Sequence, residues 1–128
     1  MHLPLNPSEI LVVEDEAIVA RDIQQQLTGL GYVPVGHATT AEQAILLADS
    51  LQPDLVLMDI RLAGPMDGVA AADAICARRD VPIVFITAFA DGGLRTRVGS
   101  SGHFLLKPFD ELELGAVLAA ILGRSSPS

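Results

Sequence analysis

The 128-residue sequence predicts an α/β fold built on a parallel five-stranded sheet, and three observations predict it. Short apolar runs, each closed by polar residues, recur along the chain. Such runs are typical of strands that are buried on both faces. The runs alternate with longer helical stretches, which is the pattern of parallel βαβ units. Half of the residues are apolar, which is enough for a substantial core without disulfide bonds.

The strands are predicted where the apolar runs lie, at residues 8–14, 33–38, 54–59, 82–87 and 103–106. Pro53 and Pro82 mark the starts of the third and fourth strands. Four of the five strands end in, or run directly into, residues with charged or hydroxyl side chains. These residues are Glu14 with Asp15, then Asp59, Thr87 and Lys107.

Five helices are predicted between and after the strands, near residues 16–29, 40–51, 67–79, 91–99 and 110–122. Gly29 and Gly31 lie where the first helix should end, because helix C-termini favour glycine. Thr40, with Gln43 three residues later, has the spacing of a capping box for the second helix. The fourth helix is the least regular, since its three glycines each cost about 1 kcal/mol relative to alanine.

Composition excludes several classes of protein. The net charge of −8, without a basic stripe, argues against nucleic acid as a direct partner. The amino terminus lacks the features of a secretory signal, and no apolar run approaches the roughly 20 residues that span a bilayer. Cys76 is the only cysteine, so an intramolecular disulfide is excluded and a reducing compartment is favoured. We therefore expect a cytoplasmic protein with no membrane segment.

Length predicts one domain that covers residues 1–128, with its core at about 8–122 and short termini at 1–7 and 123–128. Cys76 lies in an apolar helical stretch and is expected in or near the core. His37 and His103 lack a second metal-ligating neighbour at helical or hairpin spacing, which argues against zinc.

The polar residues at the strand ends form the candidate site. Ligands of open parallel sheets bind outside the carboxyl ends of the strands, so these side chains should meet in one crevice. Carboxylates suit a hard cation such as Mg²⁺, and a carboxylate can itself accept a phosphoryl group. A lysine can hold a phosphate oxygen, and a threonine hydroxyl can donate to the same group.

Each of these residues also has an ordinary structural interpretation. Glu14 and Asp15 could cap the first helix, Thr87 could simply be a β-branched strand residue, and Lys107 could be a surface lysine. Their conjunction at strand ends favours the shared site. If Lys107 contacts only phosphate, its replacement by alanine should leave stability of the metal-free protein unchanged or raised.

Four motifs together resemble the response-regulator receiver domain, the phosphoacceptor half of two-component signalling. They are Glu14-Asp15, Met58-Asp59-Ile60, Thr87-Ala88 and Lys107-Pro108-Phe109. The resemblance covers about residues 8–122. It implies a flavodoxin-like, doubly wound sheet with strand order 2-1-3-4-5 and five helices.

The resemblance also implies a role for each residue that matches a motif. Asp59 would accept the phosphoryl group from a histidine kinase or a phosphotransfer protein. Mg²⁺ would be bound by Glu14, Asp15, Asp59 and the backbone carbonyl of Arg61. Phosphate binding and the conformational switch would fall to Thr87, Ala88, Phe104 and Lys107. A downstream protein would dock on the face of helix 4, strand 5 and helix 5, and a homodimer is compatible with the family.

Two departures from the family pattern stand out. The stretch after the acceptor, residues 61–68, is one residue longer than usual, with its proline displaced to Pro65. Phe104 replaces a frequent tyrosine. Two alternatives to a complete, working receiver are a fragment of a larger regulator or hybrid kinase and a degenerate docking module. A Mg²⁺-dependent phosphohydrolase is a further alternative, although Arg61 stands where such an enzyme would need a second acid.

Overall fold

The computed structural model describes residues 7–88 and 102–123. Its five strands are β1 (Glu9–Val13), β2 (Val33–Ala38), β3 (Leu55–Asp59), β4 (Ile83–Thr87) and β5 (His103–Leu106). Its helices are α1 (Ala17–Gly29), α2 (Ala41–Leu51), α3 (Gly68–Arg78) and a C-terminal helix (Glu111–Leu122). The helix predicted at 91–99 lies outside the described residues.

The strands form one parallel sheet in the order β2-β1-β3-β4-β5. This is the doubly wound order that the resemblance implies, so the predicted fold class is confirmed. Every residue of β3 and β4 is buried, which explains why their sequences are continuous apolar runs. The carboxyl ends of β1, β3, β4 and β5 lie side by side at one edge of the sheet.

Helices cover both faces of the sheet, and each face has its own apolar core. Along β1, Leu11 and Val13 face the core formed with α2 and α3. Ile10 and Val12 face the core formed with α1 and the C-terminal helix. Because side chains alternate along a strand, one apolar run supplies both cores. Among the described residues, no helix is long and apolar enough to cross a membrane.

Capping bonds fix the starts of three helices. The Thr40 hydroxyl accepts from the Gln43 amide at 3.1 Å, whereas the Gln43 side chain accepts from the amide of Thr39 rather than that of Thr40. One of the two bonds of the expected capping box at α2 is therefore present, and the other goes to Thr39, one residue before the N-cap. A complete capping box joins Asp110 and Glu113 at the C-terminal helix. Asp67 caps α3 through the amide of Ala70.

The expectation that Cys76 lies in or near the core is wrong. Its neighbour Ile75 is the buried residue, and Cys76 is exposed on α3. Successive helical residues are about 100° apart around the axis, so only part of an apolar stretch faces the sheet. The residue is exposed as a whole, but partial burial raises the pKa of the Cys76 thiol, with smaller contributions from the negative charges of Asp73 and Asp80.

Candidate functional site

Three carboxylates meet where β1 and β3 end. Glu14 and Asp15 directly follow β1, and Asp59 is the last residue of β3, which pairs with β1. One carboxylate oxygen from each residue lies within 4.8 Å of the other two. Glu14 is completely buried and Asp59 is 5% exposed, whereas Asp15 is exposed. Two charged groups are thus held away from solvent, which requires compensation by nearby donors.

Lys107 supplies the opposite charge, although two strands separate β5 from β1 in the sheet. It follows the edge strand β5, yet its Nζ lies 2.7 Å from Glu14 Oε1 and 3.2 Å from Asp59 Oδ2. Its backbone amide donates to the carbonyl of Thr87 at 2.8 Å, which continues the ladder between β4 and β5. The peptide bond from Lys107 to Pro108 is cis. The Lys107 side chain is 22% exposed, so the ion pairs are only partly solvated.

Partial burial lowers the pKa of Lys107, but the hydrogen bond to Glu14 and the charges of Asp59 and Glu14 outweigh it. The net result is a pKa above the ordinary value of 10.5. Lys107 therefore remains an ammonium group throughout the neutral range. It is also the only lysine in the chain, so no other lysine can take its place.

Each oxygen of the two buried carboxylates has a donor. Lys107 serves one oxygen of Glu14 and one oxygen of Asp59. Glu14 Oε2 accepts from the backbone amide of Glu16 at 3.2 Å, and Asp59 Oδ1 accepts from the amide of Arg61 at 3.1 Å. These bonds fix the orientation of both carboxylates, because rotation about either side chain would break two of them.

The helix-capping interpretation of the acidic pair is not what the structure shows. The N-cap of α1 is Glu16, and it makes no side-chain capping bond. The Glu14 carboxylate turns inward towards Lys107 instead of capping the helix. The functional interpretation of Glu14 therefore fits the geometry better than the structural one.

The loop that follows Asp59 is held closely against the site. The amide of Gly68 donates to the carbonyl of Ile60 at 2.8 Å, and a Cβ at Gly68 would overlap the backbone oxygen of Asp59. Gly64 adopts a φ of +97°, in the left-handed region that favours glycine. Ala63 forms a parallel bridge with Thr40. The longer loop is thus accommodated by a turn at Gly64 and a contact with the start of α2.

Thr87 and Phe104 lie on the neighbouring strands β4 and β5. Thr87 is the last residue of β4 and is buried, and Ala88 after it is exposed. Phe104 is half-buried and packs on Phe85, with ring centroids 5.9 Å apart. Phe85 and Thr87 are two residues apart on β4, so both side chains point to the same face of the sheet.

The structure therefore brings together Glu14, Asp15, Asp59 and Lys107, with Thr87 at the adjacent strand end. Arg61 contributes its backbone amide to Asp59 and keeps its side chain exposed. The sequence did not indicate that His37 contacts the backbone of Glu14. Its Nε2 lies 2.7 Å from the backbone oxygen of Glu14. A bond to a backbone oxygen leaves no sequence signature.

The carboxylate cluster fits a small divalent cation. Mg²⁺ prefers oxygen ligands and is usually bound by one or two carboxylates with water and phosphate oxygens. Glu14, Asp15 and Asp59 present such oxygens within 4.8 Å of one another. With Lys107 the four groups sum to a formal charge of −2, since −3 + 1 = −2, which a divalent cation would neutralise.

Known proteins resemble this chain along most of its length. The transcriptional regulatory protein PdtaR of Mycobacterium tuberculosis is 38% identical over 120 residues, which are 92% of this chain and 58% of that protein. The phyllosphere-induced regulator PhyR of Methylorubrum extorquens is 34% identical over 116 residues, 90% of this chain and 43% of that protein. The chain spans about half the length of these curated relatives.

Solved structures give the same result for the fold. The signal receiver domain of a modulated diguanylate cyclase from Desulfovibrio desulfuricans G20 superimposes with a TM-score of 0.84 at 32% identity. That match covers 92% of this chain and 95% of the other. The receiver domain of Erythrobacter litoralis PhyR gives a TM-score of 0.81 at 30% identity, with 95% of each chain covered.

The family profile of the response regulator receiver domain matches residues 10–119. This span contains β1 except its first residue, all of β2 to β5 and all of the clustered charged residues. The chain accordingly belongs to the response regulator receiver domain family, the phosphoacceptor modules of two-component signalling.

Proposed function

We propose that Asp59 is the residue of this receiver domain that accepts the phosphoryl group, and that Mg²⁺ at Glu14, Asp15 and Asp59 is required. The main observation behind this proposal is that the ammonium group of Lys107 donates to both Glu14 and Asp59, two members of the carboxylate cluster. Asp59 is the one acid of the cluster that ends a buried strand and has both oxygens oriented by donors.

Phosphoryl transfer places specific demands on the residues of the chain. An oxygen of Asp59 forms the new O–P bond while the P–N bond of a donor phosphohistidine breaks, and the departing imidazole nitrogen takes up a proton. The amide of Arg61 and the ammonium of Lys107 hold the nucleophile in place. Bound Mg²⁺ would neutralise charge on the transferring group, with the Arg61 carbonyl as a further ligand.

The switch would use the residues on β4 and β5. The Thr87 hydroxyl would donate to a phosphoryl oxygen, and Ala88, which is exposed and small, would leave room for the phosphoryl group. Movement of Thr87 towards the phosphate would free space near Phe104, which is half-buried and able to change rotamer. Such a shift gains only the contacts that differ between the two states, so it is worth a few kcal/mol at most.

The proposed partners follow from this chemistry. A histidine kinase or a phosphotransfer protein would donate the phosphoryl group to Asp59. A downstream protein would dock on the face that contains β5, the C-terminal helix and the helix predicted at 91–99. Because the chain spans about half of its curated relatives, we propose only that residues 8–122 act as one receiver unit.

A Mg²⁺-dependent phosphohydrolase is the less favoured proposal. Such an enzyme would need a second acid two residues beyond its nucleophile to act on the leaving group. Arg61 occupies that position with an exposed side chain. Its guanidinium cannot act as an acid or base near neutral pH.

The decisive experiment measures transfer from acetyl phosphate in the presence of Mg²⁺ or of a chelator, by intact mass. Wild-type protein should gain one phosphoryl group only with Mg²⁺. Asp59→Asn should gain none, and the control Asp73→Asn, which changes an exposed aspartate on α3, should behave as wild type. Uptake of one group by Asp59→Asn to the wild-type extent would show that another residue is the acceptor.

A further inference from the structure

His37 makes a contact with the acidic pair that the proposed chemistry does not otherwise use. It lies on β2, one residue before the strand ends, and it is half-buried. Its Nε2 lies 2.7 Å from the backbone oxygen of Glu14. A carbonyl oxygen can only accept, so the imidazole nitrogen must carry the proton and donate it.

This bond takes the place of a backbone bond that the ladder between β1 and β2 would otherwise form. The amide of Glu14 donates to the carbonyl of Ala38 at 2.9 Å, one step beyond the last paired residues, Val13 and Ala38. In a parallel ladder the carbonyl of the same residue accepts from a later residue of the neighbouring strand. Since β2 ends at Ala38, the His37 side chain supplies that donor.

The bonded oxygen belongs to the peptide unit that joins Glu14 to Asp15. A peptide unit is planar, so holding its oxygen restricts rotation of the whole unit and the direction in which the chain leaves Glu14. Glu14 is also held by Lys107, but Asp15 is exposed, and its direction depends on this peptide unit. Free rotation here would spread the carboxylate oxygens that now lie within 4.8 Å of one another.

We propose that His37 is a positioning residue for the metal site, and that its Nε2–H bond to the Glu14 carbonyl aims the Asp15 carboxylate at the cation. The inference rests on the proposed Mg²⁺ site. Residues behind metal ligands typically change metal affinity by about 10- to 100-fold when replaced. His37 acts through the backbone of the ligands, so we expect the lower end of that range.

Two substitutions separate the hydrogen bond from other roles of the imidazole. The amide nitrogen of glutamine can reach the position of Nε2, whereas that of asparagine reaches only as far as Nδ1. His37→Gln should therefore keep the Mg²⁺ dissociation constant within about threefold of wild type, and His37→Asn should raise it about 10-fold. His103→Asn, at an exposed position on β5, is the matched control and should leave it unchanged.

Titration calorimetry with MgCl₂ at one fixed pH and salt concentration provides the constants, and far-UV circular dichroism verifies folding. The phosphorylation rate of His37→Asn should recover at saturating Mg²⁺, because the defect lies in metal binding. Equal affinity of both variants and wild type, or equal weakening of both variants, overturns the proposal. A similar weakening in His103→Asn also overturns it.

Two further outcomes are distinguishable. If wild-type protein binds no Mg²⁺, or if Asp15→Asn binds it as well as wild type, the metal site itself is wrong and His37 has no such role. If both His37 variants unfold, the wild type still tests the bond. The Nε2–H proton of His37, bonded to Glu14, should exchange with solvent more slowly than the ring N–H protons of exposed His103. Equal exchange rates at the two histidines overturn the proposal.

Discussion

Replacement of Lys107 by alanine should destabilise the metal-free protein, which is the reverse of the expectation from sequence. That expectation treated Lys107 as a phosphate contact rather than a core contact. In the structure its ammonium is 2.7 Å from a carboxylate that is completely buried. Removal of one member of a buried ion pair leaves the other charge without compensation, and this is usually the costly outcome.

The loss of stability can be estimated from the burial of the ion pair between Lys107 and Glu14. Loss of one member of a fully buried pair costs about 3–5 kcal/mol. Lys107 is 22% exposed, so solvent screens part of the interaction and the lower part of that range applies. We therefore expect a loss of about 3–4 kcal/mol at pH 7.

Urea unfolding followed by far-UV circular dichroism in the presence of EDTA measures this loss, since the chain has no tryptophan for fluorescence. Arg78→Ala is the matched control, because it removes a cation whose ion pair with Asp49 is 3.5 Å long and exposed on both sides. Exposed pairs contribute about 0–1 kcal/mol, so the control should change stability little.

A second substitution tests whether the buried charge of Glu14 causes the loss. Glu14→Gln in the Lys107→Ala background should restore stability at pH 7, because a neutral amide leaves no buried charge without a partner. A loss equal to that of Arg78→Ala, or a double variant no more stable than Lys107→Ala alone, would refute this reasoning.

Two further predictions concern the same site. Gly68→Ala should cost about 1–3 kcal/mol and slow phosphorylation, because its Cβ would overlap the backbone oxygen of Asp59. The control Gly123→Ala has a φ of +67° and no atom within 4 Å of its Cβ, so it should strain the backbone locally and leave phosphorylation unchanged. Equal phosphorylation rates in both variants would contradict the prediction. The folded-state pKa of Lys107 is raised, so its stabilising charge should be fully present below about pH 10.5 and be lost as pH rises through the folded-state pKa. NMR of ¹³C-labelled lysine, which gives one lysine signal in this chain, should show a titration midpoint above 10.5, and Glu14→Gln should lower that midpoint. A wild-type midpoint at or below 10.5 would contradict the prediction.

Sequence was sufficient to predict β3 and β4 because both strands are buried along their full length. A fully buried strand must be apolar throughout, so its end is visible as the first polar residue. Since all strands are parallel, those ends meet at one edge of the sheet, and most of the site follows from this rule. The caps at Asp67 and Asp110 were also readable in principle, because both precede helices and Asp110 has Glu113 three residues later.

The remaining features depend on distances that no local pattern contains. Lys107 reaches Glu14 although their strands are separated by β3 and β4 in the sheet. The His37 contact ends on a backbone oxygen, which every residue possesses. For Cys76 the local pattern was misleading. Its apolar neighbours predict burial, but its side chain lies on the exposed face of α3. Tertiary geometry, rather than propensity, decides each of these cases.

The donor count of Lys107 suggests how phosphorylation can proceed without disruption of the metal-free site. An ammonium group has three donors, and the bonds to Glu14 and Asp59 use two of them. The third donor can bind a phosphoryl oxygen while the bond to buried Glu14 persists, so the buried charge need not lose its partner. Lys107 would then remain nearly stationary between the two states, and the displacement that partners detect would come from Thr87 and Phe104.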